Sequence, residues 1–111
     1  MEYSIEMYQT PGGDYPASDF LKGLPTKVRA KAASWINLLQ QEGPNLKRPH
    51  ADMLSGNIRE LRISFGRLEV RILYFIHEKQ IVLTHGFLKK TQKTPPCEIQ
   101  RAERYRADWL R

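Results

Sequence analysis

The 111-residue sequence predicts an α/β domain of the α+β type, with an N-terminal strand, two helices, a three-stranded antiparallel meander and a C-terminal helix. Three observations support this prediction. The length fits one domain, residues 1–111. Apolar residues recur with a period of two in some segments and at helical spacing in others. Short turns separate the last three strand-like segments, and such turns join antiparallel neighbours.

The first half of the chain predicts one strand and two helices. Residues 3–8 alternate apolar and polar side chains, and Pro11-Gly12-Gly13-Asp14 ends this strand. Ser18-Asp19 can cap a short helix that runs through Leu24. Thr26 begins a longer helix that Gly43-Pro44 ends. The apolar positions of this second helix follow helical spacing: Val28, Ala32, Trp35, Ile36 and Leu39.

The second half predicts the meander and the last helix. After a polar, basic connection at 45–52, the strands are predicted at Ile58 to Phe65, Val70 to Ile76 and Ile81 to Phe87. Gly66-Arg67 and Glu78-Lys79-Gln80 separate them. Pro95-Pro96 then introduces a helix whose apolar positions are Ile99, Ala102, Tyr105 and Trp109.

Several classes of protein are disfavoured by composition. Cys97 is the single cysteine, so no internal disulfide can form and a reducing cytoplasm is expected. No apolar run approaches the roughly 18 residues that a membrane helix requires, and no export signal is recognisable at the N-terminus. Three histidines at 50, 77 and 85 have no tight ligand spacing. We therefore expect neither a metal nor a cofactor.

The positive charge is concentrated in one segment. Between Lys47 and Lys93 there are ten Lys or Arg residues against four Asp or Glu residues, and the rest of the chain has eight of each. The whole formal charge of +6 therefore comes from this segment. Such a concentration indicates a polyanionic partner rather than general solubility.

Strand alternation predicts a phosphate-binding surface within this segment. Arg71 interrupts a strand that is otherwise apolar on both sides, so either a structural partner such as Glu60 or an anion site must compensate its charge. Arg62, Arg71 and the Lys89/Lys90 pair lie on three successive strands, which a meander brings to one surface. These cations are suited to bind a scissile phosphate and to stabilise its charge when a ribose 2′-hydroxyl attacks. The other candidate RNA-binding cations are Lys47, Arg48, Arg59 and Lys93.

Proton transfer has three nearby candidates, Glu60, His50 and His85. His85 belongs to the apolar row of Ile81, Leu83 and Phe87, which favours a hydrogen-bonded core role. His50 lies in a basic loop, where both a solvated and a catalytic role are open.

Three segments of the chain form a recognisable set: residues 54–63, the strand from Val70 to Phe75, and the segment from His85 to Pro95, with Glu98, Ala102 and Arg104 following. Together they resemble the phage-derived Gp49-like, HigB-type branch of the RelE/ParE toxin superfamily. The most specific element is the lysine-rich run from Phe87 to Pro95 after a strand with Arg71 and Tyr74. The resemblance covers essentially the whole chain.

The resemblance implies a RelE-like toxin of a type II toxin-antitoxin system, neutralised by an antitoxin that is typically a helix-turn-helix, HigA-like protein. It also implies metal-independent cleavage of messenger RNA on the ribosome. By position, Arg71 is similar to the family's phosphate-stabilising arginine, and Arg62, Lys89 and Lys90 to its further cations. His50 lies near the position of a proposed general base.

Two other functions remain open from sequence. One is a DNA gyrase poison of the ParE type, which uses the same fold without RNA cleavage. The other is a non-catalytic nucleic-acid-binding module, for which the charge alone would suffice.

Overall fold

The computed structural model describes residues 3–111, so the first two residues of the expected domain lie outside it. The strands are β1 (Ser4–Met7), β2 (Ala51–Met53), β3 (Arg59–Phe65), β4 (Leu68–His77) and β5 (Gln80–Leu88). The helices are α1 (Pro16–Lys22), α2 (Thr26–Glu42) and α3 (Pro96–Leu110), and a 3-10 turn, Gly43–Asn45, follows α2. The predicted order of elements is confirmed, with β2 added. No helix within 3–111 is long and apolar enough to span a membrane.

The five strands form one sheet in the order β1-β5-β4-β3-β2. The antiparallel meander of β3, β4 and β5 is confirmed, and the two-residue turn at Gly66-Arg67 places Gly66 at a positive φ of 60°. β1 joins the outer edge of β5 in parallel, and β2 joins β3 antiparallel with Ala51 opposite Leu61. The prediction of a plain connection at 45–52 was therefore wrong. A three-residue strand has too few positions to show alternation.

Helix α1 begins earlier than predicted. Pro16 occupies its first turn and Tyr15 is the N-cap residue, without a side-chain cap hydrogen bond. The predicted cap Ser18-Asp19 therefore lies inside the helix. Proline fixes φ near the helical value and needs no hydrogen-bond acceptor in the first turn, so it sets the start here.

Apolar side chains cover both faces of the sheet. On one face Leu61, Ile72 and Leu83 pack with Val28 and Leu39 of α2. On the other face, a second cluster joins the sheet to α3; its buried members are Tyr8, Ile58, Leu73, Phe75, Val82 and Ala102. Arg71 alternates with the residues of the first cluster and so faces the α3 side.

A β-bulge in β5 corrects the predicted position of His85. Leu73 of β4 pairs with His85, but the next residue, Tyr74, pairs with Leu83, so Thr84 is an extra residue. The bulge shifts the alternation by one position. Ile81 and Leu83 belong to the cluster under α2, whereas Phe87 packs with the cluster under α3. His85 therefore shares a face with Arg71, and the predicted single row was wrong.

Candidate nucleic-acid interface

Cations from three neighbouring strands meet on the α3 side of the sheet. Arg62 and Arg71 are directly opposite each other in β3 and β4. Lys89 follows β5, and its backbone N–H donates to the Glu69 carbonyl at 2.7 Å. These cations border an open cavity of about 870 Å³, which we call the cleft. Its lining residues are Arg62, Arg67, Glu69, Arg71, Lys89, Lys90, Thr91 and Gln92. The structure thus brings together the four cations predicted on successive strands.

Arg71 is only 3% exposed, and two carboxylates hold it. Its Nε lies 3.7 Å from Glu60 Oε1, and its Nη1 donates to Glu69 Oε1 at 3.2 Å and to the Val70 carbonyl at 3.0 Å. The Nε has no hydrogen-bond partner of its own. Arg71 therefore has the structural partner that the sequence suggested, and it also forms part of the cleft wall.

Glu60 is paired with both arginines of the cleft. Its carboxylate is buried and accepts a hydrogen bond from Arg62 Nη1 at 3.1 Å and another from Thr94 Oγ1. One buried carboxylate thus orients both arginines, which restricts their side-chain freedom before any ligand arrives. Thr94 was not predicted to belong to the site. A threonine before Pro95-Pro96 gives no sequence signal for this role.

The cleft perturbs the ionisation of Lys89 and Glu69. Partial burial of Lys89, followed by repulsion from the Arg71 guanidinium, lowers the pKa of its ammonium group. The pKa of Glu69 is lowered mainly by the hydrogen bond from Ser64, and further by Arg71. Lys89 is therefore a better proton donor than an isolated lysine, and Glu69 is a weaker base than an isolated glutamate.

Neither candidate histidine lines the cleft. His85 is buried under α3, with Nδ1 3.1 Å from Thr84 Oγ1 and Nε2 3.0 Å from Glu98 Oε1. Burial lowers its pKa to about 4. The ring of His50 lies 5.2 Å from that of Trp35 in α2, while its backbone carbonyl accepts a hydrogen bond from the Arg62 N–H at 2.8 Å. The prediction that His50 belongs with the cleft cations is not supported, because its ring packs on the indole instead.

The remaining candidate cations line two adjoining cavities. Lys93 and Arg48 line the middle cavity, of about 460 Å³, together with Arg62, Lys89 and Glu60. Lys47, Arg48 and Arg59 line the edge cavity, of about 380 Å³, beside the edge strand β2. Arg59 precedes Glu60 in β3 and so lies on the opposite face of the sheet from Arg62. Sequence reasoning grouped these cations without separating the two faces.

Among residues 3–111, no group of three or more His, Cys, Asp or Glu side chains is arranged to hold a metal ion. Tyr105, which the sequence places near the C-terminus, stacks on Tyr8 with ring centroids 4.5 Å apart and accepts a hydrogen bond from Arg101 Nε. It serves the packing of α3.

The meander, its two added strands and the flanking helices define a small α+β protein. The chain matches the sequence model of the phage-derived Gp49-like proteins over residues 19–107, and it belongs to that family. This confirms the family recognised from sequence. No curated protein matches the chain.

A solved structure shares the fold. It is a chain of the crystal structure of the archaeal RelE-RelB complex from Pyrococcus horikoshii OT3, at 17% sequence identity and a TM-score of 0.54. The match covers 85% of this chain and 100% of that chain. The predicted RelE-like fold is therefore confirmed.

Proposed function

We propose that this protein is the toxin of a type II toxin-antitoxin system and that it cleaves messenger RNA on the ribosome without a metal ion. The observation that carries the proposal is the cleft, where Arg62, Arg71 and Lys89 converge on a space large enough for a phosphodiester. Membership of the Gp49-like family supports it. In this proposal the protein acts in the cytoplasm, and its partners are the ribosome and messenger RNA.

The proposed reaction is an internal transesterification. The ribose 2′-oxygen attacks the adjacent phosphorus, the bond from phosphorus to the 5′-oxygen breaks, and the products carry a 2′,3′-cyclic phosphate and a 5′-hydroxyl. Negative charge builds on the non-bridging oxygens in the transition state. Arg62 and Arg71, already oriented by Glu60, stabilise this charge.

Lys89 supplies the proton that the leaving 5′-oxygen requires. Its lowered pKa makes this donation easier than from an unperturbed lysine. The carboxylates of Glu60 and Glu69 already accept hydrogen bonds from arginine and hydroxyl donors, so water takes the proton of the 2′-hydroxyl. Lys90 and Lys93 bind neighbouring phosphates.

The proposed inhibitor is a cognate antitoxin, of helix-turn-helix, HigA-like type. The similar archaeal structure is a complex of RelE with RelB, which supports an antitoxin partner. We propose that an acidic or hydrophobic segment of the antitoxin covers or distorts the cleft.

Induced expression in bacteria tests this function. Primer extension on several transcripts should reveal cuts within translated codons, and cells expressing Arg71→Ala should show none. Growth arrest with intact transcripts would contradict the proposal. Arrest accompanied by the DNA-damage response would instead indicate a gyrase poison of the ParE type.

A non-catalytic RNA-binding module is the second candidate. It is favoured by the near-complete burial of Arg71 and by its two carboxylate partners, which leave little of the guanidinium exposed. The Arg71 variants described in the Discussion separate the two functions.

A further inference from the structure

Tyr74 carries a buried hydroxyl that has no hydrogen-bond partner. Tyr74 lies in β4 opposite Arg59, and it lines the edge cavity. Leaving such a buried group unpaired is unfavourable, because it has lost its hydrogen bonds to water. Burial raises its pKa to about 12, so the group stays an O–H donor at neutral pH. The edge cavity thus contains a donor that lacks an acceptor.

The walls of the edge cavity combine cations with apolar side chains. Lys47, Arg48 and Arg59 line it, and Leu46 and Met53 supply apolar surface. Two of the cations have partners: Arg48 Nη2 lies 2.7 Å from Asp52 Oδ2, and Arg59 Nη1 donates to the Pro44 carbonyl at 3.2 Å. A suitable ligand therefore carries a negative charge, a hydrogen-bond acceptor and a flat or apolar part.

The edge cavity and the cleft each share lining residues with the middle cavity. The cleft and the middle cavity share Arg62, Lys89 and Gln92 as lining residues. The middle and edge cavities share Arg48, Asp52 and Met53. Because β2 has only three residues, a path along the three cavities passes around the β2 edge from one face of the sheet to the other.

The charge along this path suits a flexible polyanion. Nine cations line the three cavities: Lys47, Arg48, Arg59, Arg62, Arg67, Arg71, Lys89, Lys90 and Lys93. The three acidic residues along the path, Asp52, Glu60 and Glu69, are each paired with arginine. A path that bends around a sheet edge admits a single strand, and phosphates spaced along that strand can meet successive cations.

We propose that single-stranded RNA follows this path and that the edge cavity binds a nucleotide flanking the scissile phosphate, with the Tyr74 hydroxyl donating to it. The edge cavity then contributes to affinity and to the preference for flanking sequence, and it takes no part in the chemistry. This inference rests on the proposed function, because a phosphate is scissile only if the protein cleaves RNA. Binding of RNA along the path can be tested without cleavage.

The test measures binding of purified protein to single-stranded RNA of 4 and 12 nucleotides over a range of salt concentrations. Tyr74→Phe should keep the fold, because the lost hydroxyl has no partner in the free protein. It should weaken binding of the 12-nucleotide RNA by about 3- to 10-fold, as loss of one neutral hydrogen bond does, and leave the salt dependence unchanged.

Lys47→Gln and Arg59→Gln should each weaken binding of the 12-nucleotide RNA. Each should also reduce the slope of log affinity against log salt by about 0.7, the value for one phosphate contact to a single strand. The matched control is Lys27→Gln, which removes an exposed lysine of α2 outside the path. It should bind both RNAs as the parent does.

The proposal is overturned if all three edge-cavity variants bind the 12-nucleotide RNA with parental affinity and salt dependence. It is also overturned if they lose only binding to an acidic peptide, since that result would assign the cavity to a protein partner. If the parent binds RNA along this path but never cleaves transcripts, the proposed function fails while the path stands.

Discussion

Arg71 is the residue on which the proposed chemistry depends most, because its guanidinium is fixed by Glu60 and Glu69 beside the cleft. Replacing Arg71 with Ala should lower the cleavage rate by about 100-fold or more, the usual effect of removing one charge-stabilising donor. RNA binding should fall modestly, since Arg71 is one of nine cations along the path. Single-turnover cleavage and equilibrium binding measure the two effects.

Two variants serve as controls for Arg71→Ala. Arg71→Lys keeps the charge but removes the two-pronged hydrogen-bonding group, so it should fold and still cleave slowly. Arg29→Ala removes an exposed arginine from α2 and should change nothing. Growth arrest and RNA binding that fall to the same extent in Arg71→Ala, with no cleavage by the parent, would indicate a non-catalytic binding module.

His85 makes the stability of the fold depend on pH. Its pKa in the folded protein is about 4, against 6.5 for the free side chain. Below pH 6.5 the unfolded chain therefore takes up a proton that the folded chain does not, and stability falls as the pH falls toward 4. Between pH 7 and pH 5 this contribution amounts to about 2 kcal/mol.

Urea unfolding at several pH values measures this effect. His85→Gln should reduce stability at pH 7 but flatten its decline between pH 7 and pH 5. A decline as steep in the variant as in the parent would assign it to other groups.

At the scale of elements, α1 packs so closely on β5 that it requires a glycine there. A Cβ at Gly86 would lie 2.3 Å from Phe20 Cδ2, closer than any normal contact. Gly86→Ala should therefore lower the free energy of unfolding by about 1–3 kcal/mol, as overpacking does. Gly56→Ala is the matched control, because a Cβ there has nothing within 4 Å, and its change should stay within about 0.5 kcal/mol.

Denaturant unfolding compares the two alanine variants. An equal stability of both would show that α1 can shift away from β5 at no cost. The contact with Phe20 is the cause if only Gly86→Ala is destabilised and if adding Phe20→Leu to that variant restores the parental free energy of unfolding.

Elements with a strong pattern could be predicted from sequence, and those set by tertiary pairing could not. The meander has apolar alternation and two-residue turns, and α2 has helical spacing, so both were predicted nearly to their bounds. The strand β2 exists because Ala51 pairs with Leu61, and three residues show no period. The bulge at Thr84 inverts the faces of His85 and Phe87, and alternation read from sequence assumes no bulge.

The same distinction applies to the site. Arg62, Arg71, Lys89 and Lys90 were grouped from sequence because adjacent strands place them side by side. His50 was included for its position in a basic loop, but only the packed structure shows its ring on Trp35. The path around β2 could not be predicted, because a strand of three residues shows no period in the sequence.

At the scale of the whole molecule, nine cations line three cavities that share lining residues, and we propose that the antitoxin covers this surface. Addition of the cognate antitoxin should abolish both RNA binding and cleavage. Hydrogen exchange should then show new protection in β3, β5 and the segment from Lys89 to Lys93. Protection confined to α1 and α2, with cleavage unimpaired, would contradict this mode of inhibition.

The central claim is that the cleft cleaves messenger RNA during translation. The most direct measurement adds purified protein to a reconstituted translation reaction and maps the new RNA ends. We predict cuts within translated codons, with a 2′,3′-cyclic phosphate on the upstream fragment, and no cuts with Arg71→Ala. Messenger RNA that stays intact on translating ribosomes, with properly folded protein present in excess, would contradict the claim.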